Sequence, residues 1–218
     1  MLVGVLGLIG SGKGTVGEIL KEFKFHQISF ASGVKDVTSV MFDWPRELLE
    51  GDTNESRIFR ETPDQFWTNR MGKEFTPRLA LQLMGTEVGR DIFHPDFWVI
   101  KTENKIKNSN ANYVITDVRF QNEINSIRKM GGILIEIKRG VPPHWYTIAE
   151  QANKGFSKAE KYMRTEGIHE SEWKWIGCGV DHVIHNNSTK ENLRNEVMSC
   201  LKKSFGNSII DELIEGAL

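Results

Sequence analysis

Hydrophobic and polar positions along the 218-residue chain fall into short apolar runs separated by stretches with helical spacing. Val3 to Leu6 make an apolar run of strand length. Beyond a glycine-rich stretch, Val16, Ile19, Leu20 and Phe23 recur on one helix face. Gln27 to Phe30 predicts a second strand. Val34, Val37, Thr38 and Met41 share a face of a helix from about Ser32 to Phe42, ended by Trp44 and Pro45. Residues 46 to 75 are polar and aromatic, with Pro63 as a breaker, and predict only irregular structure or short helices. Thr76-Pro77 is an N-cap followed by a first helical position, and its helix runs through Leu79, Leu83 and Val88 to about Arg90. A further helix after Pro95 covers Phe97 to about Lys107.

"YVITD", 113 to 117, is an apolar strand ending in an acid, and Phe120, Ile124 and Ile127 mark a helix up to the Gly131-Gly132 stop. "ILIEIKR", 133 to 139, is the next strand. After a long segment, "VDHVIHN" is the last, and Ser188 with Glu191 predicts a capping box for a helix carrying Leu193, Val197 and Leu201. Strands alternating with helices imply an α/β fold with a mostly parallel sheet covered on both faces. The length fits a single domain, 1–218, with a helical region at about 31–110 and a lid-like segment at about 140–178.

Charge narrows the function classes. Twenty-eight Lys and Arg against 29 Asp and Glu leave a net charge of −1, so no general basic field points to nucleic acid or an anionic membrane, and any anion site must be local. Cys178 and Cys200 are too few for a disulfide framework and lack metal-ligand spacing, which predicts free thiols and a cytoplasmic protein. No apolar run approaches the roughly 18 residues of a membrane span.

Chemistry enters at Gly7-Leu8-Ile9-Gly10-Ser11-Gly12-Lys13, the G-x-x-x-x-G-K core of a P-loop, set between a predicted strand and a helix as that motif requires. Glycines let backbone N–H groups converge on phosphate oxygens, the helix N-terminus adds its dipole, and Lys13 brings a mobile charge to the transferred group. Gly14 occupies the position where the general motif has a magnesium-ligating hydroxyl, and Thr15 follows one later. "GSGKGT" resembles the nucleoside monophosphate kinases more than GTPases or motor ATPases. That resemblance implies that the loop holds the β-phosphate of ATP, with Mg²⁺ held largely through water and the nucleotide.

An acceptor phosphate is best gripped by arginine forks. Asp117 and Arg119 follow a buried strand at the edge where doubly wound sheets bind ligands. Lys35 and Arg78 lie in the first turns of their helices, where the dipole disfavours a cation unless an anion is near. Trp98 and Phe97 are candidates for stacking on a base. Lys154, Lys158, Lys161 and Arg164, mixed with aromatics and glycines, suit a lid over phosphates. His169 is weighed as structural, and the remaining histidines have no zinc spacing, so no protein metal site is expected.

Here a closer resemblance emerges. "GVKD" at 33–36, "RLALQLMGTEVGRDIFHPDFWV" at 78–99, "VITDVRFQNE" at 114–123, "HESE" at 169–172 and "DHVIHNNSTKENL" at 181–193 resemble the deoxynucleoside monophosphate kinases of tailed bacteriophages. The resemblance implies ATP with Mg²⁺ as donor system and a deoxynucleoside monophosphate (dNMP) as acceptor. It places Gly10, Ser11, Gly12, Lys13, Gly14 and Thr15 on ATP. It places Val34, Lys35, Arg78, Gly85, Thr86, Trp98, Asp117, Arg119 and Glu123 around the acceptor, with Lys13, Arg119 and Asp117 catalytic. Residues 141–168 match poorly. Beyond the dNMP, the partner left open is a second copy in a homodimer; nucleic acid and membrane are not expected. Two rivals stand beside this reading: another small-molecule P-loop kinase, such as a dephospho-coenzyme A kinase, and a nucleotide-switch ATPase. The second lacks an N-K-x-D motif or a strand ending in paired acids.

Overall fold

The computed structural model describes residues 1–216. The chain runs β1 (Leu2–Leu6), α1 (Lys13–Glu22), β2 (Phe25–Ile28), α2 (Ser32–Phe42), a 3-10 turn (Arg46–Leu49), α3 (Asn54–Glu61) and α4 (Gln65–Met71). It continues through α5 (Pro77–Leu83), a π-helical stretch (Met84–Phe93), α6 (Phe97–Lys107), β3 (Asn112–Ile115), α7 (Gln121–Lys129) and β4 (Ile133–Lys138). The last elements are α8 (Tyr146–Asn153), α9 (Ser157–Thr165), α10 (Glu170–Trp173), β5 (His182–His185), α11 (Lys190–Phe205) and α12 (Asn207–Glu215).

The strands form a five-stranded sheet in the order β2-β3-β1-β4-β5, and all its pairings are parallel. Being central, β1 is buried along its whole length, which is why it is apolar at every position rather than alternating. Val3 and Val5 share one core with Val16, Ile19 and Leu20 of α1 and Leu193, Val197 and Leu201 of α11. Gly4 faces the opposite side, where a Cβ would run into Ile127 of α7 at 2.6 Å and Leu134 at 2.8 Å. Helices therefore cover both faces, as the alternating pattern predicted.

Two compact units emerge: Met1–Ser29 with Ile106–Leu218, and Phe30–Lys105. The first holds the sheet. In the second, Trp44, Leu49, Phe75 and Ala80 form one small core and Val34, Met84 and Trp98 another. The single-domain expectation extended over 217–218, which lie outside the described residues.

Three elements depart from the sequence pattern. The helix begun at Thr76, whose Oγ1 accepts the Leu79 N–H at 3.1 Å, stays α-helical only to Leu83 and then becomes a π-helix. Trp98 accounts for the change: its Nε1 donates to Gly85 O at 2.9 Å, and its indole fills the space a Cβ on Gly89 would take. A tryptophan inserted against two glycines widens the helical turn. The cap of α11 is Thr189, whose Oγ1 accepts the Asn192 N–H at 3.2 Å; Ser188 instead accepts the Asn192 side-chain amide, so the cap stands one residue beyond the predicted one and the N3 side chain turns to Ser188. Residues 207–215, left unassigned from the pattern, form α12, anchored by the fully buried Ile210.

The 140–178 segment carries α8, α9 and α10 around its own apolar centre of Ala149, Met163, Trp173 and Ile176, all fully buried. Asn153 ties it together, donating from Nδ2 to Trp173 O and Ile176 O, each at 2.8 Å. Cys178 and Cys200 are free thiols. Among the described residues no helix is long and apolar enough to cross a membrane.

Candidate active site

The loop after β1 leads straight into the N-terminus of α1. Gly12 caps α1 in the left-handed region (φ 107°), and a Cβ there would collide with the Asn186 amide, so glycine is required on two counts. Asn186, just past β5, donates from Nδ2 to Ser11 O at 2.8 Å while its own N–H bonds Lys138 O at 2.7 Å, bracing the loop against the end of β4. No side chain caps α1 and no acid lies in its first turn, which leaves its leading N–H groups for an anion. Ser11 Oγ is buried without a hydrogen-bond partner. Gly14 is open to solvent, with nothing within 4 Å of where its Cβ would stand.

Lys13 folds back on its own loop, donating from Nζ to Gly7 O at 2.7 Å and Leu8 O at 2.8 Å. Burial, followed by the Arg119 charge, pulls its ammonium down from 10.5 to about 8, against an opposing push from Glu172. Lys13 thus feels the charge of Arg119, whose own carboxylate partner is Glu172. Arg119 Nη1 donates to Glu172 Oε1 at 2.8 Å and Ser171 Oγ at 3.2 Å, while Nη2 and Nε make no hydrogen bond among the described residues. That leaves one edge of the guanidinium without a partner among the described residues.

Asp117, half-buried past β3, accepts the Ser29 hydroxyl at 2.8 Å. Glu123 was expected to line the acceptor. Instead its carboxylate is buried and Oε2 accepts the backbone N–H of Arg119 at 2.7 Å and of Phe120 at 3.1 Å. It fixes the turn from which Arg119 projects. His169 is a cap: its Nδ1 accepts the Ser171 N–H at 3.2 Å and lies 2.8 Å from Ser171 Oγ.

In the Phe30–Lys105 unit the candidate residues look different. Lys35 is 2.5 Å from Glu50, which Arg46 also reaches at 2.5 Å, and the exposed Arg78 pairs with Glu61 at 3.0 Å. Protein carboxylates therefore answer the helix-dipole conflict that suggested an external anion. Trp98 is a correction: only 6% exposed, its ring packs with Val34 and Met84 and is not open to a base, whereas Phe97 and the exposed Phe93 stack at 5.0 Å. Gly85 is half-buried and Thr86 exposed.

Asn186, Ser171 and Glu172 were not singled out from the sequence, although each lies inside a quoted motif; an isolated polar residue after a strand, or two on a four-residue helix, carry no periodicity to mark them. Sequence reasoning also missed a cavity of about 250 Å³ lined by Leu8 of the loop, Lys138, Arg139, Tyr146, Trp175 and His185. Tyr146 donates to Glu136 at 2.6 Å across it, and burial and that carboxylate raise the phenol's pKa. Among the described residues, no three His, Cys, Asp or Glu side chains cluster as a metal site.

Similarity to known proteins points to one kinase family. Residues 46–144 match the family model of deoxynucleotide monophosphate kinase. A protein of Acanthamoeba polyphaga mimivirus, to which deoxynucleotide monophosphate kinase activity is ascribed, is 29% identical over 215 residues, spanning 92% of this chain and 96% of its own. The deoxynucleoside-5'-monophosphate kinase of Escherichia phage T5 is 46% identical over 55 residues, 25% of this chain and 22% of that one. The resemblance read from the motifs is borne out. Among solved structures, dephospho-CoA kinase from Campylobacter jejuni overlays 93% of this chain and 96% of its own with a TM-score of 0.43 and 17% identity, too loose to speak to activity.

Proposed function

We propose that the chain is a deoxynucleoside monophosphate kinase transferring the γ-phosphoryl group of ATP to a dNMP, giving ADP and dNDP. The observation that carries this reading is the loop itself: Lys13 and Arg119 converge beside a buried, unpartnered Ser11 hydroxyl at an uncapped helix N-terminus. The loop N–H groups, Ser11 and Thr15 take the donor phosphates. Lys13 exchanges its two loop carbonyls for phosphate oxygens, and the free edge of Arg119 neutralises charge that develops during transfer. The cavity beside Leu8 suits the adenosine end of ATP, with Arg139 and His185 at its rim. No protein nucleophile is needed, because alignment and charge neutralisation suffice for this reaction.

Mg²⁺ keeps most of its waters and binds chiefly through substrate phosphates, and the half-buried carboxylate of Asp117 is an oxygen donor of the kind that would hold its shell. When bound, the ion neutralises the phosphates. For the acceptor, the residues to which the motif resemblance points are Val34, Lys35, Arg78, Gly85, Thr86, Asp117 and Arg119. Trp98 and Glu123 act through the residues they hold.

A coupled ADP-release assay across all dNMPs, NMPs and dephospho-coenzyme A tests the reading. ADP release that depends on a dNMP supports it. Turnover with dephospho-coenzyme A alone, or equal turnover without any acceptor, would replace it with one of the two rivals.

A further inference from the structure

Resting on that reading, we infer that Glu172 is a positioning residue for phosphoryl transfer: with Ser171 it holds the Arg119 guanidinium by Nη1, leaving the Nη2–Nε edge to take a substrate phosphate. The geometry is directional. Both contacts, at 2.8 Å from Glu172 Oε1 and 3.2 Å from Ser171 Oγ, fall on the same nitrogen. A carboxylate placed as a mimic of phosphate would take the fork through two nitrogens; this one does not. The holding group is itself fixed. Glu172 stands on α10, whose Trp173 is fully buried and donates from Nε1 to Ile168 O at 3.2 Å, and Asn153 of α8 clamps the carbonyls at 173 and 176. His169 Nδ1, 2.8 Å from Ser171 Oγ, steadies the second holder. On the other side, Glu123 secures the Arg119 backbone N–H. Arginine is thus pinned at its main chain and at one end of its side chain, with its third side free. Pinning matters because a long cationic side chain loses rotamer freedom when it binds a phosphate, and a held one loses less.

A positioning role and a mere counter-charge predict opposite effects. Without Glu172 the site becomes more positive, so simple electrostatics would strengthen nucleotide binding and leave kcat alone. Positioning predicts that Glu172→Ala lowers kcat on the order of tenfold to a hundredfold, as expected for a lost charged hydrogen bond, with KM for ATP no higher. Glu172→Gln, which keeps an acceptor oxygen, should recover to within about threefold of the wild type. The decisive comparison is in the Arg119→Ala background, where adding Glu172→Ala should cost less than about twofold, because the residue has nothing left to hold. Thermal melts of each variant show that it is folded. An equal loss with and without Arg119, a Gln variant as poor as Ala, or a normal kcat with a lowered KM overturns the inference. If the wild type phosphorylates no dNMP, the functional reading fails separately. The same four proteins are then titrated with inorganic tripolyphosphate: an affinity change on Glu172→Ala that vanishes without Arg119 supports the positioning role, and an additive one refutes it.

Discussion

The phosphate loop and the helical unit treat their cations in opposite ways. At the loop, Lys13 and Arg119 share one carboxylate, Lys13 falls back on the carbonyls of its own loop, and a buried serine hydroxyl has no partner. In the helical unit Lys35 has Glu50, Arg78 has Glu61, and Arg46 spans Asp36 and Glu50. Position on a helix made Lys35 and Arg78 look like ligand contacts, as the loop motif did for Lys13 and the strand end for Arg119. Pairing separates them: a cation whose protein carboxylate is already in place is a weaker sign of a ligand than one that must borrow carbonyls or share its counter-ion.

The sharpest way to break that contrast is Lys13→Met. It should lower kcat by several orders of magnitude while the melting temperature stays within a few degrees of the wild type, because the ammonium serves the transition state rather than the packing. A kcat within tenfold of the wild type would remove the loop from the mechanism. Next in size is Arg119→Lys, which keeps charge but loses the fork. The expected loss is about 1.5–3 kcal/mol, read as a raised KM for dNMP and a lowered kcat with KM for ATP nearly unchanged. Collapse of ATP affinity alone would put this arginine on the donor instead.

The pH dependence of Lys13 should be smaller but distinctive. Its ammonium is depressed to about 8 in the folded protein, so the free enzyme loses that charge as pH rises through 8, and ATP affinity by calorimetry should fall roughly tenfold per pH unit above it. Stability should move the other way. The unfolded chain binds the proton up to 10.5 and the folded one only to about 8, so this group's contribution to stability rises with pH between those values and is level below 8. Flat ATP affinity from pH 7 to 9.5 would contradict both. Smallest of all, Arg78→Gln should raise KM for dNMP a few-fold and alter stability by under about 1 kcal/mol, as for an exposed pair. An unchanged KM would leave Arg78 as an ion pair with Glu61.

Much of the sheet unit was legible because its signals are periodic or motif-bound. LVGVL, YVITD and ILIEIK are dominated by apolar residues, as strands of a sheet covered on both faces must be, and G-x-x-x-x-G-K declares itself by spacing. The helical unit was legible only in part. Its cores are small and aromatic, and the break from α to π after Leu83 depends on Trp98 reaching back thirteen residues to Gly85, which no local pattern encodes. Site residues divided in the same way. Lys13 and Arg119 follow strand ends and can be read from the sequence; Glu172 and Asn186 matter through partners 53 and 175 residues away, and only the fold reveals them. Trp98 was misread because an aromatic in a quoted motif looks the same in sequence whether its ring packs in a core or against a base.

The account stands or falls on where the terminal phosphate of ATP goes. Purified protein incubated with γ-labelled ATP, Mg²⁺ and a single dNMP, with products separated by ion exchange, should put the label in the corresponding dNDP, and Lys13→Met should put none there. Label recovered only as inorganic phosphate, at the same rate with and without dNMP, would make the chain an ATPase and contradict the central claim.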